Sequence, residues 1–502
     1  MGADKNVWVL TALSALSQTV NFSYRVIMAR MVGAEVMGLY QLVMSAYAVI
    51  QALTTVGLTA AMSNLTAQYL AVGDREGPNR VRNQCLGLFC CLMLPVGGVT
   101  LVCSDAISVH MLGDARTRLG LMLLIPCLTL TAVENLHKNA FYGAGRPVPP
   151  AVAEVWEQLV RAGAVLLLLV LFLPQYPERA VGLVMCGMIL CEVSSAVTLC
   201  TLYHHCFGRE GALYGGETAK VCRSRITAIA LPVGANALLS NLLGAANSAL
   251  VPRQLVRSGM ERSLAVSKLG VVCGMTMPML ALPTVYLGAL NLILMPKLAS
   301  AAALGRREEM RRLVSEGMER VCALTVPCMT VMVVFGGEFG RVLYHREDVG
   351  EYLLPLAGTM GIGCAVGVLA TALNSIGRQK TVAAISLIGG GVQVLCTFFL
   401  TVLPGVEMGG FVCGALASAV LELALFLRSA TRATGMRPTL LRWLLRPGLA
   451  AALAGLDGRL LLRVLKDAGF SPNFALLLAL PFAIVQYWLV LRLLGKRIDE
   501  NA

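Results

Sequence analysis

Charge is what this sequence has least of. Asp, Glu, Lys and Arg make up 14% of its 502 residues, where a soluble domain carries roughly a quarter. A chain so poor in charge cannot cover a water-facing surface of its own size. The 16 cysteines form no CxxC pair and no Cys/His ligand spacing, which leaves no basis for a metal site or a disulfide framework. Lone cysteines inside apolar runs are read as small core hydrophobes. No GxxxxGK[ST] string occurs, so no nucleotide-driven pump is indicated and no cofactor is implied. A basic N-terminal region followed by an A-x-A cleavage site is also missing, so the first helix is expected to be retained.

Apolar residues, at 57%, are in excess, and the mean hydropathy is +0.73. These values describe an all-α polytopic membrane protein whose apolar runs must each reach roughly 20 residues, about fourteen transmembrane helices in total. Runs bounded by Gly, Pro and charge predict helices near 6–32, 36–70, 83–111, 117–143, 149–173 and 180–206. A second set follows near 222–251, 263–302, 315–344, 350–376, 379–403 and 408–430, and two more near 440–465 and 472–494. Trp8, Trp443 and Trp488 fall near span ends, where an interfacial belt would place them. The net charge of +13 sits in short loops, so it indicates orientation in a membrane and not a nucleic-acid face. Arg75, Arg80, Arg82, Arg146, Lys220, Arg223, Arg225, Arg306, Arg307, Arg378 and Lys380 fall on one side, with Lys5 and Lys496 at the termini. The other side holds fewer, including Arg116, Arg118, Arg179, Arg257 and Arg346. Both termini are therefore expected in the cytoplasm of a bacterial cell, with the chain in its cytoplasmic membrane.

A shift of 232 residues superposes Gly38 on Gly270, Gly73 on Gly305, Glu76 on Glu308, Pro95 on Pro327, Gly145-Arg146 on Gly377-Arg378, Ala151 on Ala383 and Gly182 on Gly414. A constant offset over so long a stretch predicts two six-helix lobes in the same orientation. The expected domains are residues 1–206, a cytoplasmic linker at 207–221, a second lobe at 222–432, and two further helices with a tail at 433–502. Parallel repeats of this kind are an architecture of transporters that open to either side in turn. A scaffold that keeps the fold and moves nothing is the alternative.

The run from Tyr24-Arg25-Val26 through Ala29-Arg30-Met31-Val32-Gly33-Ala34-Glu35, with Gly38-Leu39-Tyr40-Gln41, resembles the start of the stage V sporulation protein B type of oligosaccharide flippases. Glu157-Gln158-Leu159-Val160-Arg161, Val251-Pro252-Arg253-Gln254, Leu282-Pro283-Thr284 and Met295-Pro296 extend the resemblance over most of the chain. It implies the multidrug/oligosaccharidyl-lipid/polysaccharide exporter superfamily. The implied partners are the lipid bilayer and a polyprenyl-pyrophosphate-linked oligosaccharide, a peptidoglycan precursor, with a use in spore cortex and contact with proteins that build the cell wall. Asn247 stands where that family often has an acidic residue, which weakens an ion-coupling role there.

Ionisable residues inside spans are expensive and so mark function. Glu134, His137 and Lys138 share one helical face, as do Glu154, Glu157 and Arg161 on the next helix. The turn Gly143-Ala144-Gly145-Arg146-Pro147 makes these helices antiparallel. Counting from it predicts Glu134 opposite Arg161, about 20 Å in, and Lys138 opposite Glu154 or Glu157, about 13 Å in. These groups either fix the register of the hairpin or bind substrate and carry a proton, with His137 titrating closest to neutrality. At the repeat offset they become Val366, Leu369, Ala370, Ser386, Gly389 and Gln393, all uncharged, which favours function in the first lobe. Arg25, on a face with Gln18 and Asn21 about two turns from the outer end of its helix, either grips a pyrophosphate with its planar fork or snorkels to the outer interface. Arg253 is a further binding candidate, Arg30 is expected to snorkel to the interface, and Glu192 and Glu422 lie within the sixth and twelfth spans. Pro278 and Pro283 together predict a hinge in the eighth.

Three other classes compete. A cation-coupled multidrug antiporter of the same superfamily usually stops at twelve helices. A major-facilitator carrier has a loop to which Gly73-Asp74-Arg75-Glu76-Gly77 is similar, but the adjacent basic pair is lacking. A membrane-embedded glycosyltransferase would need a long outer loop bearing carboxylates, and none is predicted, so the chain is not expected to be an enzyme.

Overall fold

Helices end in this chain where a glycine can take a left-handed conformation that a Cβ would strain. Gly145 (φ +68) donates to the Tyr142 carbonyl and Arg146 to that of Phe141; Gly377 (φ +78) donates to Asn374 and Arg378 to Leu373. The same pair of bonds closes Gly73 (φ +82) on Leu70 with Asp74 on Tyr69, and Gly305 (φ +67) on Ala302 with Arg306 on Ala301. Positions matched at the 232 offset thus make the same turn with the same hydrogen bonds.

The computed structural model describes residues 2–207, 218–436, 438, 439 and 441–499, so most of the linker expected at 207–221 lies outside the described residues. Regular structure among them is helical, without strands. Among the described residues twelve helices are long and apolar enough to cross a bilayer. One, Val9–Ala71, has 63 residues and is interrupted at Gly33 (φ 78, ψ 171). Its length, about 95 Å if straight, suits two crossings. The helix Arg446–Asp467 is kept out of the twelve by its charges, Arg446, Asp457, Arg459, Arg463, Lys466 and Asp467. These two helices account for the difference from the expected fourteen.

Two compact units are present: residues 1–256 with 260–270, and 257–259 with 271–502. In the first, α1 (Gly2–Gln51) runs through a π-helical turn, Ala52–Val56, into α2 (Gly57–Ala71). Then come α3 (Gly77–Val102), α4 (Arg118–Gly143), α5 (Val148–Phe172), α6 (Ala180–Phe207), α7 (Ala219–Arg257) and α8 (Arg262–Leu269). α6 packs between α4 and α5, α1 lies on α5 and α8, and α2 lies on α3 and α4. Met28, Met37, Leu42, Met62, Leu65, Phe89, Leu121 and Phe141 fill the interior, while Leu94, Val102, Leu167 and Val170 are exposed, as lipid-facing residues would be. Segment 222–256 therefore packs with the first unit, later than the repeat boundary.

The second unit begins in a π-helical stretch, Gly270–Thr276, followed by the single turn Met277–Ala281. After it come α9 (Thr284–Ala303), α10 (Arg307–Phe339), α11 (Asp348–Ser375), α12 (Gln379–Leu400), α13 (Met408–Thr434), α14 (Arg446–Asp467) and α15 (Pro472–Asp499). Pro278 opens the short turn and Pro283 precedes α9, so the helix does break at Leu282-Pro283, where the sequence placed it. α14 and α15 pair with each other and dock on α10, where Lys466 Nζ meets Glu338 at 2.5 Å and the Tyr487 hydroxyl donates to the Ala323 carbonyl at 2.5 Å.

Two expectations are corrected here. Trp443 does not face outward as a belt residue would: it lies in the π-helical turn Leu441–Leu445 and is 2% exposed. Trp488 is half exposed, and the side chain of Trp8 lies outside the described ones. The cysteines are not all core residues either, because Cys90, Cys91, Cys103 and Cys413 are exposed, where an apolar thiol faces lipid at no cost.

Candidate functional site

Glutamate four residues before a cation is the favourable orientation on a helix, and it occurs twice on facing helices. On α4, Lys138 Nζ lies 2.5 Å from Glu134 Oε1; on α5, Arg161 Nη2 lies 2.5 Å from Glu157 Oε1. The Gly145 turn brings the two pairs together, and Lys138 also donates to Glu157 Oε2 at 2.9 Å. Arg161 reaches on to α6, where Glu192 Oε1 accepts at 3.2 Å. The result is a chain from Glu134 through Lys138, Glu157 and Arg161 to Glu192, drawn from three helices. Its carboxylates are 2%, 6% and 3% exposed. Removing either cation would leave a further buried carboxylate charge uncompensated, at a cost of about 3–5 kcal/mol.

This arrangement keeps the expected Lys138–Glu157 pair and replaces the other. Arg161 pairs with Glu157 and Glu192, and Glu134 pairs with Lys138. Depth explains the choice: Arg161 and Glu192 each lie fifteen residues from the α5–α6 turn at Tyr176-Pro177 and so meet at one level. The same count on the second hairpin would have found Glu192. Glu154 is not in the chain and takes a 3.4 Å bond from the Ser17 hydroxyl of α1. His137 is not in it either. Its Nδ1 donates to the Val133 carbonyl at 2.7 Å, and its ring meets Tyr203 edge-on at 4.9 Å in an aromatic group with Phe141 and Phe207. Arg82 lies over the other side of that group, 4.8 Å from the Tyr203 ring centre.

Arg25 is half buried in α1 and has no carboxylate partner among the described residues. Arg30 is exposed, as a snorkelling residue would be. Arg253 is engaged: its guanidinium donates to the His110 carbonyl and lies across Gly113 (φ +83), bracing the turn after α3. Beside that turn Asp114 is 4% exposed and accepts from the backbone and guanidinium of Arg116, at 3.0 Å and 2.9 Å. Burial works against its charge, yet the Arg116 hydrogen bonds and guanidinium outweigh it and hold the carboxyl below its usual range. In the second unit Gly389, at the position matching Glu157, lies directly against the Glu422 carboxylate. No charged chain forms there from the matched positions, because Val366, Ala370 and Gln393 carry none.

The polysaccharide biosynthesis protein family model matches residues 3–251, and that of the lipid II flippase MurJ matches 278–479. Stage V sporulation protein B of Bacillus subtilis (strain 168) is 25% identical over 410 residues, 81% of this chain and 79% of that protein. The fold is shared with a lipid II flippase in an inward closed conformation, at 11% identity and a TM-score of 0.68 over 98% of this chain and 99% of that one. It is shared also with an inward-facing multidrug resistance transporter of the MATE family, at 13% identity and a TM-score of 0.69 over 86% and 100%. Matched by sequence over four fifths of its length, the chain is a multi-pass membrane protein similar to stage V sporulation protein B, and its two parts match the polysaccharide biosynthesis and lipid II flippase family models.

Proposed function

We propose that the protein moves a lipid-linked oligosaccharide, a peptidoglycan precursor, across the cytoplasmic membrane by alternating access. The carrying observation is Arg25: within a span, half buried, it has no carboxylate partner among the described residues, whereas Lys138 and Arg161 are each held by two carboxylates. An unneutralised guanidinium at that depth calls for an anion from outside the chain, and a pyrophosphate suits its planar donors. The sequence relative, a sporulation protein, supports a use in spore cortex. The flippase fold accounts for more of the chain, 98% against 86%, which favours a lipid-linked substrate over a drug. Pro278 and Pro283, beside the π-helical stretch where the chain passes between its units, serve as the hinge.

The test is reconstitution with labelled lipid II, scored for exposure of the head group at the far leaflet. Wild-type protein exposes it, and Arg25→Ala slows exposure at least tenfold, about 1.4 kcal/mol of lost stabilisation, at unchanged membrane level. Head-group exposure independent of the protein would overturn the assignment and leave the scaffold; protein-dependent efflux of a cationic drug alone would leave the antiporter.

A further inference from the structure

Charge counting constrains the chain on α4, α5 and α6 more than packing does. Three carboxylates, Glu134, Glu157 and Glu192, face two cations, Lys138 and Arg161. With all five ionised, three minus two leaves one uncompensated negative charge. The carboxylates are almost fully buried, where a net charge is expensive. One oxygen from each lies within 4.8 Å of the others, close enough for like charges to favour protonation. Independently of the count, Glu192 Oε2 is buried with no hydrogen-bond partner, although its other oxygen accepts from Arg161. An anionic oxygen so placed lacks the donor that buried polar atoms normally have.

We propose that Glu134, Glu157 and Glu192 together bind one exchangeable proton, whose uptake and release is coupled to transport. The proton adds to a carboxylate oxygen to form the acid and leaves the chain of five groups neutral; on release to water the charge of minus one returns, and no other bond changes. A metal ion is the poorer occupant. Lys138 Nζ, 2.5 Å and 2.9 Å from two of the carboxylates, and Arg161 Nη2, 2.5 Å and 3.2 Å from its own two, stand where the ion would have to sit. Among the described residues the other titratable groups facing the site are phenols and thiols: Tyr24, Tyr40 and Tyr47 from α1, Cys127 from α4, and Cys191 from α6, whose thiol donates to the Glu157 carbonyl at 3.2 Å. Glu154, nearest in sequence, is bonded to Ser17.

The coupling rests on the transport assignment above; the proton site does not. Infrared difference spectra of the full chain in lipid nanodiscs, taken across pH steps, read the protonated carboxyl directly. The wild type is expected to show a titrating carboxylic-acid band. Glu192→Gln, which leaves two carboxylates against two cations, loses it, and Glu134→Gln does the same should the first variant not fold. Lys138→Gln, with three against one, gains band intensity. A wild type with no titrating band, a band unchanged in both Gln variants, or a band removed by Na+ at constant pH overturns the proposal. With the band in place, a transmembrane pH gradient should change the rate of head-group exposure in the wild type and not in Glu192→Gln. A band without any lipid translocation keeps the proton site and overturns the transport assignment, while translocation without a band does the reverse.

Discussion

Arg25 and Arg161 are both guanidiniums inside spans, and they differ in what stands opposite them. Arg161 holds Glu157 and Glu192, so Arg161→Ala leaves Glu192 buried without a cation and Glu157 with Lys138 alone, and should cost about 3–5 kcal/mol. Thermal unfolding of the purified protein checks this, and adding Glu157→Gln to the variant should restore part of the loss, a coupling that independent sites would not show. Arg25→Ala breaks no ion pair among the described residues and should unfold within a degree or two of wild type. Asp114 tests a different environment, outside the spans. Its depressed carboxyl contributes stability that is whole above the ordinary aspartate value, near pH 4, and is lost as pH falls through the lower folded value. Asp114→Asn should therefore flatten the acid limb of a melting-temperature profile. Spacing in the sequence put Glu134 and Lys138 on one helical face and Glu157 and Arg161 on another, but the pairing expected for Glu134 and Arg161 was across the hairpin and not along each helix. The direction of the His137 ring was not legible in sequence, because Tyr203, which attracts it, lies on a helix far along the chain.

Where two helices cross with nothing but backbone between them, glycine is the only residue that fits. Gly38 on α1 and Gly270 at the end of α8, matched in the sequence repeat, meet this way, with Gly270 against the Ala34 carbonyl and Gly38 against that of Val266. The obstacle in each case is backbone, which cannot rotate aside, so Gly270→Ala should destabilise by about 1–3 kcal/mol. A lowered melting temperature with normal membrane insertion would bear this out. Small residues that let backbones approach are a general device of membrane helices, where lipid is as apolar as the side chains it would replace. Helix ends were readable from sequence because Gly73, Gly145, Gly305 and Gly377 each close a turn through purely local hydrogen bonds. The π-helical turns at 52–56 and 270–276 were not readable, since neither departs from an apolar pattern.

For the molecule as a whole, orientation follows from the loops. Reporter fusions after residue 499 and within 376–379 should report the cytoplasm, and one within 345–347 the far side; the reverse pattern would invert every membrane-side statement made from the basic loops. Two six-helix lobes joined by a linker and followed by two further helices are expected from the sequence, while the compact units divide at 256–271, with α8 lying on α1. Sequence periodicity carries the repeat, whereas packing decides which neighbour a helix joins.

The sequence by itself determined that this chain is a multi-pass helical membrane protein, where many of its helices end, and that the charged faces of Glu134, Lys138, Glu157 and Arg161 have no charged counterparts at the 232 offset. Those properties depend on composition and on spacings of a few residues, which a one-dimensional pattern records. Tertiary structure alone decided that His137 turns to Tyr203 and that three carboxylates share two cations. These depend on how α4, α5 and α6 pack side by side, and on the low dielectric there, which makes the charge left over after pairing the quantity that matters.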